Sequence, residues 1–209
     1  MMQSVKYKLG EFFIIFILVP VSFAIDFPVW IKMIIGVLGF AYIIFVLLRV
    51  EKNKFKIAKN LNWKTFWKQT FLKCIGIALL TSLFVFITDK SMLFTVVLNK
   101  PLLWLMILFI YSFFSVYPQE LIFRTFYFQR YECLFQNKNL FIFINATVFA
   151  LAHLFFKNSL VIVLTFLGGL LFAFTYKKTK STLLVTIEHA IYGCWLFTVG
   201  MGEMLGFPS

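Results

Sequence analysis

Residues 117–130 read YPQELIFRTFYFQR and place a carboxylate and a guanidinium inside an otherwise strongly apolar stretch. Glu120 and Arg124 are four residues apart, so on a helix they share one face and can form a charge-assisted pair. An ionisable side chain within a membrane span costs roughly 2.5–3.5 kcal/mol on insertion scales. Such a side chain is therefore expected to pair with another polar group or to have a functional role.

The composition predicts an integral membrane protein. Of the 209 residues, 62% are hydrophobic, 21% are aromatic and only 13% are charged. A soluble domain has about 45–50% apolar and about 25% charged residues. An apolar excess of this size cannot be buried in one soluble core. The predicted fold class is therefore an all-α, polytopic bundle of membrane helices.

Apolar runs long enough to cross a bilayer, about 17–25 residues, occur seven times. They lie at roughly 10–27, 30–48, 70–88, 101–129, 139–156, 159–176 and 182–201. An eighth crossing follows if 117–130 is more than the tail of the fourth run. The first run, preceded by Lys6 and Lys8, also has the pattern of a secretory signal peptide. No internal repeat or linker interrupts the chain, so residues 1–209 are predicted to form one membrane domain.

The net charge is +12, and most of the basic residues lie in the loops between the apolar runs. With a cytoplasmic N-terminus and seven crossings, fifteen basic residues fall on the inner side and four on the outer side. This is the positive-inside pattern, and it favours lipid over nucleic acid as the surroundings. We expect a multi-pass protein of a bacterial inner membrane. Residues 51–71 mix lysines with aromatic residues, which predicts a helix in the inner interface or, alternatively, a solvated connection.

The chain has only two histidines, and both lie in predicted spans. His153 ends the sequence FALAH, and His189 follows Glu188 in VTIEHAIYG. Glu188 and His189 point about 100° apart on a helix, so they cannot serve one site equally. At 1.5 Å per residue, Glu120, His153 and His189 lie roughly 10–20 Å from the inner ends of their spans. If they converge, a carboxylate and two imidazoles can activate a water and stabilise an oxyanion. Each group taken alone also fits a structural role.

These motifs, in this order and spacing, resemble the CPBP family. That family comprises type II CAAX prenyl endopeptidases and bacteriocin-processing or immunity proteins, also called the Abi family. The resemblance rests on QELIFR, FALAH and HAIYG, the last beginning at His189, and covers about residues 100–200. It implies an intramembrane glutamic endopeptidase with a peptide or protein substrate at the membrane. By that resemblance Glu120 and His153 activate water, and His189 helps form the oxyanion hole.

The resemblance also implies supporting residues. Arg124 would orient the carboxylate region, and Phe149 lies one helical turn before the first histidine. Two positions depart from the family pattern: the family has a further glutamate where this chain has Gln119, and often an asparagine where it has Gly193. A neutral amide cannot take a proton, and a glycine offers only its backbone N–H. The alternative function is therefore a catalytically impaired regulator or immunity scaffold that binds a membrane partner.

No cofactor is expected. Two histidines and a glutamate could hold zinc, which stays the alternative, but the chain has no HExxH and these residues come from three separate spans. Cys74, Cys133 and Cys194 are far apart and predict neither a disulfide nor a cysteine-based zinc site. A transporter that relays protons through Glu and His is a further alternative, although the sequence has no repeated halves.

Overall fold

The computed structural model describes residues 2–54 and 61–205, and within them every regular element is helical. The predicted all-α, polytopic fold class is confirmed. Residues 55–60, the middle of the predicted interfacial segment 51–71, lie outside the described residues. The end of that segment, from Trp63 onward, begins a helix.

Seven long helices run through the described residues. α1 covers residues 5–23, α2 is Val29–Val50, α3 is Trp63–Thr88, α4 is Pro101–Leu134, α5 is Lys138–Leu151, α6 is Ser159–Thr179 and α7 is Thr182–Val199. Short helical turns at Lys90–Met92, Thr95–Asn99, Leu154–Phe156 and Glu203–Leu205 lie outside these helices.

The helices begin at residues whose chemistry favours a helix start. Asn62 accepts a hydrogen bond from a backbone N–H in the first turn of α3, Asn137 does so for α5 and Ser181 for α7. Such side chains satisfy N–H groups that the helix itself leaves unpaired. Pro101 occupies the first position of α4, where its missing N–H costs nothing. The local sequence therefore sets these helix starts.

Six helices of the described chain are long and apolar enough to cross a membrane. They are α2, α3, α4, α5 with its extension to Phe156, α6 and α7. The first predicted span is not among them, because α1 carries Lys6, Lys8 and Glu11 and each charge opposes burial in hydrocarbon. Large apolar side chains such as Leu79 are exposed along these helices, as lipid contact requires. The protein is a multi-pass membrane protein, while its orientation stays a prediction.

The described residues form two compact units. The first unit contains those within Met1–Lys56 and Leu121–Lys177. The second unit contains those within Ile57–Glu120 and Lys178–Ser209. It stays a prediction that residues 1–209 form one domain with a motif-bearing core at about 100–200.

The first unit is built around aromatic residues of α1 and the end of α4. The fully buried ring of Phe16 meets the rings of Tyr127 and Tyr131 edge to face, at 5.5 and 5.8 Å between centroids. Such pairs contribute about 0.5–1.5 kcal/mol beyond the area they bury. The buried guanidinium of Arg130 also donates to Glu11 of α1 at 2.6 Å. Aromatic packing and an ion pair thus attach α1 to the end of α4.

In the second unit, α7 packs against α3 and the first part of α4. A buried cluster joins residues of α4 and α7 through side chains such as Ile107, Tyr111 and Phe197. The indole N–H of Trp195 donates to Thr81 of α3 at 2.9 Å. These contacts fix the face of α7 that carries His189, because a packed core leaves few alternative side-chain positions.

Candidate active site

Glu120 lies where α4 departs from regular α-helical geometry. Residues Tyr111–Val116 form a wider π-helical stretch, Tyr117–Glu120 form one α-helical turn, and a second π-helical stretch follows at Leu121–Phe126. Pro118 has no N–H to donate to the preceding turn, and the wider stretch directly precedes it. Such π-helical insertions occur frequently at functional sites. The local sequence therefore disturbs the helix at the carboxylate.

The structure joins Glu120 to His189 within the second unit. The Nδ1 atom of His189 lies 2.7 Å from Oε1 of Glu120. Glu120 is completely buried and His189 is 6% exposed. A buried carboxylate is costly unless it is hydrogen-bonded or paired, and this short contact supplies a charge-assisted bond. A carboxylate and an imidazole, 69 residues apart in the chain, thus form one buried acid–base pair.

The side chain of Tyr111, on α4, packs against His189. Its ring stands nearly perpendicular to that of His189, at 81° and 6.1 Å between centroids. The phenol fills the space next to Gly193, where a Cβ atom would overlap Tyr111 Oη, Cε1 and Cζ. Gly193 lies one turn after His189 and is buried, so its missing side chain makes room for the tyrosine.

Glu188, the residue before His189, belongs to a different set of contacts. Its Oε1 accepts hydrogen bonds from Lys73 Nζ at 2.7 Å and from Tyr192 Oη at 3.0 Å. Glu188 and His189 are neighbours on α7 and point in different directions. Glu188 therefore has other partners than Glu120, which binds His189. Lys73 was not expected from the sequence as the partner of Glu188. The one sequence feature that could have indicated it is a lysine within an apolar run.

Gln119 directs its side chain back along α4. Its amide Nε2 donates to Ser115 Oγ, one helical turn earlier, at 2.8 Å. An amide donates and accepts but takes up no proton at neutral pH. The side chain therefore acts here as a hydrogen-bonding group within the helix.

Arg124 is held inside the first unit. It is completely buried, its Nη1 donates to Asn145 Oδ1 at 2.9 Å, and its Nη2 donates to the carbonyl of Gly169 at 3.4 Å. Its guanidinium lies 4.8 Å from the ring centroid of Phe149, a cation–π contact. Asn145 was not singled out from the sequence, since a lone Asn in an apolar helix carries no pattern. The predicted pairing of Arg124 with Glu120 stays a prediction.

His153 lies in a turn and not within an α-helix. α5 ends at Leu151, and His153 precedes the short turn Leu154–Phe156. Its Nδ1 lies 2.8 Å from the carbonyl oxygen of Phe149, and the two rings are 4.9 Å apart. Since a carbonyl only accepts, Nδ1 carries the proton of this bond. His153 belongs to the first unit, and its convergence with Glu120 and His189 stays a prediction.

Within the described residues there is no group of three or more His, Cys, Asp or Glu side chains placed to hold a metal ion. The pair formed by Glu120 and His189 offers two such ligands, whereas a structural or catalytic zinc site uses three or four protein ligands. That the protein works without a cofactor stays a prediction.

A scan against protein families matches residues 100–195 to the model described as Rce1-like, type II CAAX prenyl endopeptidase. No curated protein and no solved structure matches the chain. The matched segment includes Glu120 and His189 and covers nearly all of the range over which the motifs resemble the CPBP family. The resemblance stated from the sequence is therefore confirmed. Residues 100–195 of this chain are therefore similar to the Rce1-like type II CAAX prenyl endopeptidases, in agreement with the sequence motifs.

Proposed function

We propose that this protein is an intramembrane endopeptidase that hydrolyses a peptide bond with a water molecule activated at Glu120. The observation that carries the proposal is the 2.7 Å hydrogen bond between the buried side chains of Glu120 and His189. The matched family is one of endopeptidases, which indicates a peptide substrate at the membrane. A buried carboxylate bonded to an imidazole supplies both a proton acceptor and a hydrogen-bond donor.

Hydrolysis begins when the water oxygen attacks the carbonyl carbon of the scissile bond. Glu120 accepts a proton from the water as the new C–O bond forms, and the π electrons of the carbonyl move onto its oxygen. When this oxyanion collapses, the C–N bond breaks and the amine leaves with the proton that Glu120 held. The products are a carboxylic acid and an amine, and the carboxylate of Glu120 is restored.

His189 stabilises the oxyanion in this mechanism. An ionised carboxylate only accepts hydrogen bonds, so the imidazole donates Nδ1–H to Glu120. This role requires the imidazolium form, in which Nε2 also carries a proton, and Nε2–H then donates to the oxyanion. Once Glu120 has taken the proton of water, the pair carries one net positive charge. That positive charge stabilises the negative charge that develops on the carbonyl oxygen, which is the function of an oxyanion hole.

His153 is proposed to assist the proton transfer from water. Its hydrogen bond to the carbonyl of Phe149 fixes the tautomer with the proton on Nδ1. In a neutral imidazole the other ring nitrogen, Nε2, is then the basic atom. This supports the role that the family resemblance implies for His153.

We propose a prenylated C-terminal peptide as the substrate class, in preference to a bacteriocin leader or a sorting signal, because the matched family is named for that substrate. We further propose that the protein lies in a cell membrane with a cytoplasmic N-terminus. The loop-by-loop distribution of Lys and Arg supports this orientation.

The proposal is tested with the purified protein in lipid vesicles and a farnesylated CAAX peptide. We expect the wild type to release the C-terminal tripeptide. The variant His189→Gln should lower kcat by about 10²–10³-fold, the usual effect of losing one oxyanion donor, with little change in KM. Lys157→Met, which removes an exposed ion pair with Asp26, should cleave like the wild type. Equal cleavage by His189→Gln and the wild type would refute the role of His189.

A second candidate function is a catalytically impaired scaffold that binds a membrane partner. It is favoured by Gln119, whose neutral amide is bonded to Ser115 and replaces an acid of the family pattern. If the site is impaired for this reason, Gln119→Glu should raise cleavage of the same peptide by about tenfold or more, because a general base contributes 10²–10⁴-fold. An unchanged or lower rate in an already active protein would argue against the scaffold.

A further inference from the structure

Gly193 leaves a gap on the face of α7 that carries His189. Residues four apart on a helix lie on the same face, so a side chain at position 193 would stand one turn from His189. Here a Cβ at that position would overlap the phenol of Tyr111. The hydroxyl of Tyr111 therefore occupies the volume in which the side chain of residue 193 would begin.

Tyr111 lies beside His189, one member of the proposed acid–base pair. Its ring packs edge to face on Phe197, at 4.8 Å and 78°, and nearly perpendicular to His189. The phenol is only 9% exposed. The side chain of Tyr111 has only two rotatable bonds, so packing against Phe197 leaves its ring few alternative positions. Tyr111 thus presents an O–H group in the same buried environment as the Glu120–His189 pair.

Other buried tyrosines of the protein use their hydroxyls for structural bonds. Tyr127 donates to the carbonyl of Phe141, Tyr131 to Glu11 and Tyr192 to Glu188. The first two hydroxyls join separate segments of the fold, and the third binds a carboxylate on its own helix. The hydroxyl of Tyr111 instead occupies the space beside Gly193 in which a side chain would begin.

We propose that the hydroxyl of Tyr111 is a catalytic donor that stabilises the oxyanion together with Nε2–H of His189. This inference rests on the proposed hydrolysis. The neutral phenol donates a hydrogen bond to the negatively charged oxygen and transfers no proton. The bond is stronger to the oxyanion than to the ground-state carbonyl, so it lowers the barrier and not only the free energy of substrate binding. Gly193 is the residue that admits the donor.

The variant Tyr111→Phe removes the hydroxyl and keeps the ring. On the farnesylated CAAX peptide we expect kcat to fall by about 10²-fold, with KM and the thermal unfolding midpoint near the wild-type values. The matched control is Tyr117→Phe, since Tyr117 lies on the same helix but is 45% exposed. That control should cleave at the wild-type rate.

Two double variants test the need for a hydrogen-bond donor at this place by supplying it from position 193. Tyr111→Ala vacates the volume next to Gly193, and a second substitution then fills it. Gly193→Asn offers an amide donor there, whereas Gly193→Leu offers an apolar side chain of similar size. We expect the Tyr111→Ala/Gly193→Asn protein to cleave at least about tenfold faster than Tyr111→Ala/Gly193→Leu, since one donor is worth about 10²-fold or more.

The outcomes separate this inference from the proposed function. If the wild type cleaves and Tyr111→Phe cleaves equally well, the inference is overturned and the hydrolase stands. If the wild type, shown to be folded, does not cleave, both fall. If Tyr111→Phe does not fold, equal rates for the two double variants overturn the role of the donor.

Discussion

Replacing Glu120 by glutamine is expected to reduce peptide cleavage by about 10³-fold or more. Glutamine has the same shape and its carbonyl oxygen still accepts a hydrogen bond from His189, but it cannot take a proton from water. General base catalysis contributes about 10²–10⁴-fold. The loss should be near the upper end, because the same change also weakens the charge-assisted bond that holds His189 in place. Release of the C-terminal tripeptide from the farnesylated peptide measures it.

Glu188→Gln is the matched control for this prediction. It makes the same chemical change at a carboxylate that is equally buried and lies next to His189 in the chain. Its carbonyl oxygen can still accept from Lys73 and Tyr192, which bind the Glu188 carboxylate. We expect cleavage within about threefold of the wild type, because Glu188 has no part in the proposed proton transfer. Similar losses in both variants, or wild-type cleavage by Glu120→Gln, would contradict the mechanism.

The largest loss of stability is expected from Arg130→Met. The guanidinium is completely buried, and it donates to Glu11 at 2.6 Å and to Glu51 at 2.8 Å. Methionine keeps an apolar side chain of comparable length but leaves the carboxylate of Glu11 buried without its cation. Removing one partner of a buried ion pair costs about 3–5 kcal/mol. The free energy of unfolding in mixed detergent micelles measures the change.

Two further variants show whether the buried charge is the cause. Arg130→Met combined with Glu11→Gln should recover part of the loss, because the uncompensated carboxylate is then gone. Lys157→Met breaks an ion pair of 2.8 Å with Asp26 in which both side chains are largely exposed. Its stability should change little, since exposed pairs are screened by solvent. Arg130→Met with a stability equal to that of Lys157→Met would contradict the prediction.

The local sequence was sufficient to predict most of the helices. Apolar runs of bilayer length predicted the segments that became α2 to α7. The first span was the weakest element, because three charged residues fall within α1. His153 lies within a candidate span, Lys138–Phe156, as predicted, but the regular α-helix ends before it, at Leu151. Lys157, which follows, has a left-handed backbone with φ of 52°, and periodicity alone does not predict such a turn.

The candidate site was predictable only in its titratable members. Glu120 and His189 stand out because ionisable groups are rare in apolar helices, and their order matches a known family. Tyr111 gave no such signal, and Lys73, although it lies in an apolar run, did not indicate its partner. A tyrosine in a chain that is 21% aromatic is unremarkable, and the meaning of Gly193 depends on the side chain that occupies the space beside it.

By itself, the sequence determined that this is a helical membrane protein and which acidic and imidazole groups its spans contain. Those properties follow from composition and from periodicity along the chain, which are local. Only the tertiary structure decided that Glu120 bonds to His189, that Glu188 bonds to Lys73, and that the phenol of Tyr111 fills the space at Gly193. Such contacts join segments tens of residues apart, and they depend on how helices pack, on side-chain rotamers and on distances of a few ångströms.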